Sequence, residues 1–459
     1  MEVKKLTLYN VGRFKELEVL LAPHGEAKSN VTVLVGNNGS GKTSILRSLA
    51  TSLSWLVARI RTERGSGSQI PELVIKNGEN SAAVDVDVFH HIYGVAEDGD
   101  VESDDGNYFS WRIAKTRKGR KGHFKSDYSD LTFMADHYRT RLSTDENTNL
   151  PLIAFYSVER VVIDIPLKIR GKHSFLQLDG YDNALNQGVD FRRFFEWYRK
   201  REDTENESGI GDDVLEQIKN MLGQDNDTWK KLKTLKASTR DKQLTAVRSA
   251  IYTFMPEFSN LRVRRKPRLH MSIDKNGETL DVAQLSQGEK SLMALVGDIA
   301  RRLAVMNPNF DNPLKGDGII LIDEVDMHLH PEWQQLVLQN LEKTFPNIQF
   351  VVSTHSPQVL TTVKKEQIVK LENSEKVEVL GNTYGEESNY VLNHLFDVES
   401  KPPLKHTETL KKYYVLIESG LNTTIEAKSL RRKLENILGE HHSDLMAADR
   451  MIKRKELLG

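Results

Sequence analysis

The sequence predicts an α/β fold: a mixed sheet flanked by helices, with a β-rich insert, a helical insert and a helical C-terminal tail. Three observations carry this. Short apolar runs at 31–35, 318–322 and 348–353 read as buried strands and alternate with segments of helical period, the pattern of a largely parallel sheet. A glycine-rich loop over residues 36–43 lies between the first run and a helix. The second run ends in two adjacent acids, Asp323 and Glu324.

A chain of 459 residues can hold a large core and further domains. Lys+Arg 64 against Asp+Glu 65 leaves a net charge of -1, so bulk charge does not point to nucleic acid. Cysteine is absent, which excludes disulfides, Cys-ligated zinc, iron–sulfur clusters and a Cys nucleophile, and fits a cytoplasmic location. The N-terminus, MEVKKLTLYN, lacks the apolar core of a signal peptide. No run of about 18 apolar residues exists, so no membrane span is expected.

Residues 3–21 read as two short strands around a turn at Asn10-Val11-Gly12. A helix over 43–60 places Ile45, Leu46, Leu49, Leu53, Leu56, Val57 and Ile60 at helical spacing and completes an N-terminal lobe, 1–61. Residues 62–150 mix β-like pieces at 83–88 and 108–113 with polar loops, and read as an insert of hairpins and loops. Within 151–184, residues 152–156 form a strand returning to the core. Residues 185–258, rich in charge and helix formers, read as a helical insert without the heptads of a long coiled coil. Over 259–384 a C-terminal lobe follows. Its strands at 269–273, 318–322 and 348–353 alternate with helices at 286–305 and 331–344, and short strands at 367–371 and 377–380 close it. Residues 385–459 form a helical, charged tail, broken by Pro402-Pro403, that reads as a solvated helical pair or, in preference, as a partner-docking region.

Four motifs carry chemistry. Gly36-Asn37-Asn38-Gly39-Ser40-Gly41-Lys42-Thr43 fits G-x-x-x-x-G-K-[ST] in its required strand–helix setting. Such a loop wraps phosphates with backbone N–H groups at a helix N-terminus. Lys42 then reaches the β/γ-phosphates and the Thr43 hydroxyl ligates Mg²⁺, so ATP and Mg²⁺ are the expected ligands. Asp323 is the expected Mg²⁺ partner through water, and Glu324 the general base for an attacking water. In Leu285-Ser286-Gln287-Gly288-Glu289, Ser286 opens a helix whose N–H groups can hold an anion; a capping box between Ser286 and Glu289 is the plainer reading. His355, in Ser353-Thr354-His355-Ser356, follows a buried strand, and its imidazole is a donor suited to sensing a phosphate. His328 and His330 could suggest a metal, but no third ligand is visible, and they read as part of a loop.

Together these motifs resemble the RecF/SMC/OLD branch of ABC-type P-loop ATPases. Residues 285–289 stand where that family carries its signature, and the stretch after the acids, Val325-Asp326-Met327-His328-Leu329-His330-Pro331, is similar to that branch rather than to transporter subunits. The resemblance implies a homodimer or higher homo-oligomer. Ser286, Gln287, Gly288 and Glu289 of one chain would face the γ-phosphate held by another chain's P-loop, and His355 would act as the switch histidine. Residues 190–203 and 389–396 resemble the ATPase subunit of Septu-type, retron-associated anti-phage systems. That likeness implies an HNH-type nuclease subunit as partner, with a retron reverse transcriptase and its nucleic acid where the locus carries one.

Two departures stand out. The turn reads Asn10-Val11-Gly12-Arg13-Phe14, which shifts Arg13 out of a nucleotide-contacting role. No Q-loop glutamine follows Tyr156-Ser157-Val158-Glu159-Arg160, so slow, regulatory turnover is expected. The densest basic run, from Lys115 to Lys125, and a second at 262–268 read as solvated loops or as DNA-phosphate contacts. Direct DNA binding, as by a RecF-like repair ATPase, is the alternative function. An OLD-like Toprim nuclease is disfavoured, because the tail after 385 lacks an Asp-x-Asp pair.

Overall fold

The predicted apolar runs become neighbouring strands. In the computed structural model, described residues are 1–90, 106–145, 148–159, 175–185, 191–208, 221, 228, 240–266, 268–396, 398 and 404–458. The N-terminal half contains β1 (Glu2–Val11), β2 (Phe14–Leu20), β3 (Val31–Gly36), α1 (Lys42–Arg61), β4 (Ser81–His90), β5 (Asn107–Thr116), α2 (Ser129–Thr144), β6 (Leu152–Tyr156) and α3 (Phe191–Ser208). Then come α4 (Lys242–Phe254), β7 (Phe258–Arg264), β8 (His270–Lys275), β9 (Glu278–Asp281), α5 (Gln287–Met306), β10 (Gly318–Ile322), α6 (Pro331–Thr344) and β11 (Ile348–Ser353). The short α7 (Pro357–Leu360), β12 (Ile368–Glu372), β13 (Glu375–Val377) and α8 (Ser388–Leu395) follow. Last are α9 (Lys405–Glu418), α10 (Ile425–Leu438) and α11 (Ser443–Leu458).

The chain divides into two units, Met1–Val391 and Leu392–Gly459. In the first, a sheet of order β13-β12-β3-β11-β10-β6 is parallel except at β13. Strands β3, β6, β10 and β11 are buried along their whole length, which is why their sequences are continuous apolar runs. Parallel strands carry their C-terminal ends to one edge, so residues 36, 156, 323 and 353 arrive together. A second, antiparallel sheet has the order β2-β1-β4-β5. Helix α1 packs on both sheets through Ile45, Leu49, Leu53 and Leu56. A third antiparallel sheet, β7-β8-β9, leads into α5.

Three expectations need correction. Residues 129–144, read as loops and hairpins, form helix α2, which buries Leu131, Met134, Ala135 and Tyr138 at i, i+3, i+4 and i+7. Helix α3, read as part of an insert, belongs to the core: Phe191, Phe194, Phe195, Trp197 and Tyr198 are buried, and α3 packs on α5. The closing strand read at 377–380 is β13, because Asn373 and Ser374, at φ 48° and 67°, make a tight hairpin directly after β12. Residues 209–220, 229–239 and Pro402-Pro403 lie outside the described residues, as does the loop at 97–105.

The second unit has its own core. Leu410, Tyr413 and Ile417 of α9 meet Ala427 and Leu434 of α10 and Leu445 and Ala448 of α11. Arg431 donates to both carboxylate oxygens of Asp449, at 2.7 and 3.0 Å, and to Glu435 at 2.7 Å. Among the described residues no helix is long and apolar enough to cross a membrane.

Candidate nucleotide-binding site

The loop 36–43 joins the C-terminal end of β3 to α1. The Lys42 ammonium lies across it, donating to the carbonyls of Gly36 (2.7 Å) and Asn37 (3.2 Å). Burial lowers the Lys42 pKa, while Asp323 and Glu324 pull it up. Ser40 is buried, and among the described residues its Oγ has no hydrogen-bond partner. An unpartnered hydroxyl beside a partly desolvated ammonium fits an anion. Gly41 holds φ at 108°, and a Cβ there would stand 2.2 Å from the Phe14 ring. The turn 10–14 therefore rests on the loop. Against expectation, the Arg13 guanidinium lies 3.7 Å from where a Cβ on Gly39 would stand, beside the cradle rather than displaced from it. The strand-to-strand hairpin that carries Arg13 reaches the loop only through the tertiary fold.

The acids meet this loop from β10. Thr43 Oγ1 donates to Asp323 Oδ2 at 2.8 Å, joining the two expected metal-site residues. Asp323 N donates to the Tyr156 carbonyl at 2.9 Å. Glu324 follows with φ 49°, a left-handed conformation that costs a non-glycine residue on the order of 1 kcal/mol. Residues 353–356 hold the segment after β10. Ser353 Oγ donates to Asp323 Oδ1 at 2.6 Å, Thr354 Oγ1 donates to Asp326, and Ser356 Oγ donates to Gln334 at 2.7 Å. His355 lies among Lys42, Glu324, Asp326 and Asp323; burial, then the Lys42 charge, lowers its pKa, while the three carboxylates pull it up. Lys42, Thr43, Asp323, Glu324 and His355 thus converge.

The signature segment is built differently. Ser286 caps α5: its Oγ accepts from Glu289 N at 3.3 Å, and Glu289 Oε2 accepts from Ser286 N at 2.6 Å. Glu289 also receives Lys275 Nζ at 2.6 Å. Its carboxylate is thereby committed to shaping the helix tip. A Cβ on Gly288 would stand 2.4 Å from the His328 carbonyl oxygen, so the loop after the acids presses on this helix. His328 is at φ 64°, and His330 Nδ1 accepts from Glu332 N at 3.4 Å as the cap of α6. Among the described residues, no hydrogen bond or ion pair joins Ser286, Gly288 or Glu289 to residues 36–43.

A family described as "AAA domain, putative AbiEii toxin, Type IV TA system" matches residues 31–361, which span every motif above. The chain is 35% identical to the Retron Ec83 probable ATPase of Escherichia coli over 464 residues, covering 93% of this chain and 83% of that one. The chain belongs to the retron- and Septu-type ATPases. The Retron Vc95 probable ATPase of Vibrio cholerae serotype O1 biovar El Tor is 33% identical, covering 94% of this chain and 86% of its own. The Septu protein PtuA of Bacillus mycoides (strain KBAB4) is 32% identical over 160 residues, covering 33% of this chain and 22% of its own. Among solved structures, an SMC head bound to the C-winged helix domain of ScpA aligns over 82% of this chain and 96% of its own, at 16% identity and TM-score 0.43.

In this ATPase a buried ion cluster ties helix α5 to the end of β6, the strand beside the acid strand. Asp298, on α5, accepts from Arg301 (2.7 Å), Arg302 (2.7 Å) and Tyr156 Oη (3.0 Å), and the three charged residues are at most 1% exposed. Burial alone would raise the Asp298 pKa, but Arg302 and Arg301 outweigh it and hold the carboxyl below its usual value. Burial lowers both guanidiniums; the Asp298 charge outweighs that for Arg302 and not for Arg301. Sequence reading passed over this cluster, as it did Ser353 and Thr354. The Asp-x-x-Arg-Arg spacing on a helix was the available signal for the former. The basic run is partly consumed: Arg117 donates to the carbonyls of Glu79 (2.9 Å) and Ile75 (2.8 Å), while Lys118, Arg120, Lys121 and Lys125 stay exposed.

Proposed function

We propose that this ATPase holds ATP with Mg²⁺ in the cradle of residues 36–43 and closes two copies of itself around two nucleotides. The observation that carries the reading is the Thr43–Asp323 contact at 2.8 Å beside the buried Lys42 ammonium and the unpartnered Ser40 hydroxyl. Thr43 and Asp323 would hold Mg²⁺, whose charge neutralises the β/γ-phosphate oxygens. Lys42 steadies those oxygens, and His355 offers an N–H to the γ-phosphate. Glu324 accepts the proton of the water that attacks phosphorus, and ADP leaves as the phosphoryl group is captured. The Ser286 helix tip, with the N–H groups of Gln287 and Gly288, supplies donors for the γ-phosphate on the second chain.

The assembled dimer or larger oligomer regulates an HNH-type nuclease in cytoplasmic anti-phage defence, with a retron reverse transcriptase and its nucleic acid where present. The unit Leu392–Gly459, which has its own core, is the surface we assign to partner docking. Glu324→Gln tests the chemistry: it is expected to keep ATP binding, slow hydrolysis and trap the closed assembly. Normal turnover in that variant removes Glu324 from the role of base. A second reading, direct DNA binding, draws on the exposed Lys118, Arg120, Lys121 and Lys125. It requires salt-sensitive DNA binding by the isolated ATPase that weakens when these four are replaced by alanine.

A further inference from the structure

Ser353 is the last residue of β11 and is fully buried. Its hydroxyl accepts from the Glu324 backbone N–H at 2.8 Å and donates to Asp323 Oδ1 at 2.6 Å. The direction is fixed by chemistry. An amide N–H can only donate, so the single hydroxyl proton is left for the carboxylate. The Ser353 carbonyl then accepts from Val325 N at 2.9 Å. One residue therefore grips three in succession: the side chain of Asp323 and the backbones of Glu324 and Val325. Glu324, in the middle, is the residue at φ 49°, and a non-glycine backbone stays there only when its surroundings over-determine it. Thr43 holds the other Asp323 oxygen, so the two hydroxyls fix the carboxylate plane from opposite sides.

We infer that Ser353 is a positioning residue for hydrolysis: it aims the Glu324 carboxylate and orients Asp323 towards Thr43. It also ties both acids to the strand that delivers His355 two residues later, so base and phosphate-reading histidine keep one geometry. An apolar side chain at 353 would support the strand equally well but could not link the two acids. The inference rests on Glu324 as base and Asp323 as metal partner.

The test compares Ser353→Ala and Ser353→Thr by steady-state hydrolysis and by equilibrium binding of a fluorescent ATP analogue, with Mg²⁺ and with EDTA. Ser353→Ala is expected to lose about tenfold or more in kcat. Its Mg²⁺-free affinity should change by less than about threefold, and the gain in affinity on adding Mg²⁺ should shrink. Ser353→Thr, which keeps the hydroxyl, is expected to recover most of both. Should Ser353→Ala fail to fold, Ser353→Cys, nearly isosteric and a poor hydrogen-bonding group, is expected to show the same losses. A folded Ala or Cys variant with full kcat and an unchanged Mg²⁺ effect overturns the inference, as does a Thr variant no better than Ala. Glu324→Gln run alongside separates the two claims. If it too turns over normally, the base assignment is at fault; if it alone is slow, only the role of Ser353 falls.

Discussion

The two ends of the nucleotide machinery are made in opposite ways. The P-loop end is complete within one chain: Lys42, Thr43, Asp323, Glu324, Ser353 and His355 are joined by short hydrogen bonds and by mutual charge. The signature end is complete only as a helix tip. Ser286 and Glu289 satisfy each other, and among the described residues neither is hydrogen-bonded or ion-paired to residues 36–43. The difference teaches that one end is closed by contacts within the chain, while the other is only capped. The capping box satisfies Ser286 N and Glu289 N and fixes the start of the helix.

The largest effect separating the ends is expected from Lys42→Ala, which removes the cradle's cation and should abolish ATP binding in a titration with labelled nucleotide. Retained binding would mean that the loop's N–H groups suffice alone. Next is Asp298→Asn, which leaves two buried guanidiniums without their anion. It should cost about 3–5 kcal/mol in urea unfolding, because breaking a buried pair exposes an uncompensated charge. The sign of the pH dependence follows. Asp298 titrates below its usual value in the folded chain, so its contribution is present above the unfolded carboxyl pKa near 3.9 and is lost as pH falls through the folded value. The Asn variant should lack that acid limb.

Smaller and more selective is Gly288→Ala. Its Cβ meets the His328 carbonyl at 2.4 Å, backbone against backbone, so the helix tip and the loop after the acids must separate. Hydrolysis should fall by roughly tenfold while ATP affinity holds, since the P-loop end is untouched. Equal loss of affinity and turnover would dissolve the distinction between the ends. Ser286→Ala is the mildest in folding terms: losing the N-cap should cost about 1 kcal/mol in the same urea assay. A much larger loss of turnover than of stability in that variant would sharpen the case for a second role at Ser286.

The same contrast explains what was legible in the sequence. The strands at 31–36, 152–156, 318–322 and 348–353 and the loop 36–43 were visible because buried parallel strands are unbroken apolar runs and a phosphate cradle is a contiguous motif. Helix α2 was overlooked although Leu131, Met134, Ala135 and Tyr138 carry its period, because the flanking β-like pieces dominated that stretch. Arg13 was misplaced for another reason. Its position over Gly39 depends on Phe14 packing on Gly41, a contact between separate elements that no local spacing records. Ser353 was passed over likewise, since its partner Asp323 lies 30 residues away. Asp298 carried a local signal in Arg301 and Arg302, and only its contact with Tyr156, 142 residues away, was beyond local spacing.

The most direct measurement is a structure of the Glu324→Gln variant with Mg²⁺ and ATP. The expected result sets Ser286 of one chain within about 3 Å of the γ-phosphate that Lys42 of another chain holds. A structure in which Ser286 lies remote from every phosphate, in every subunit pairing, would contradict it.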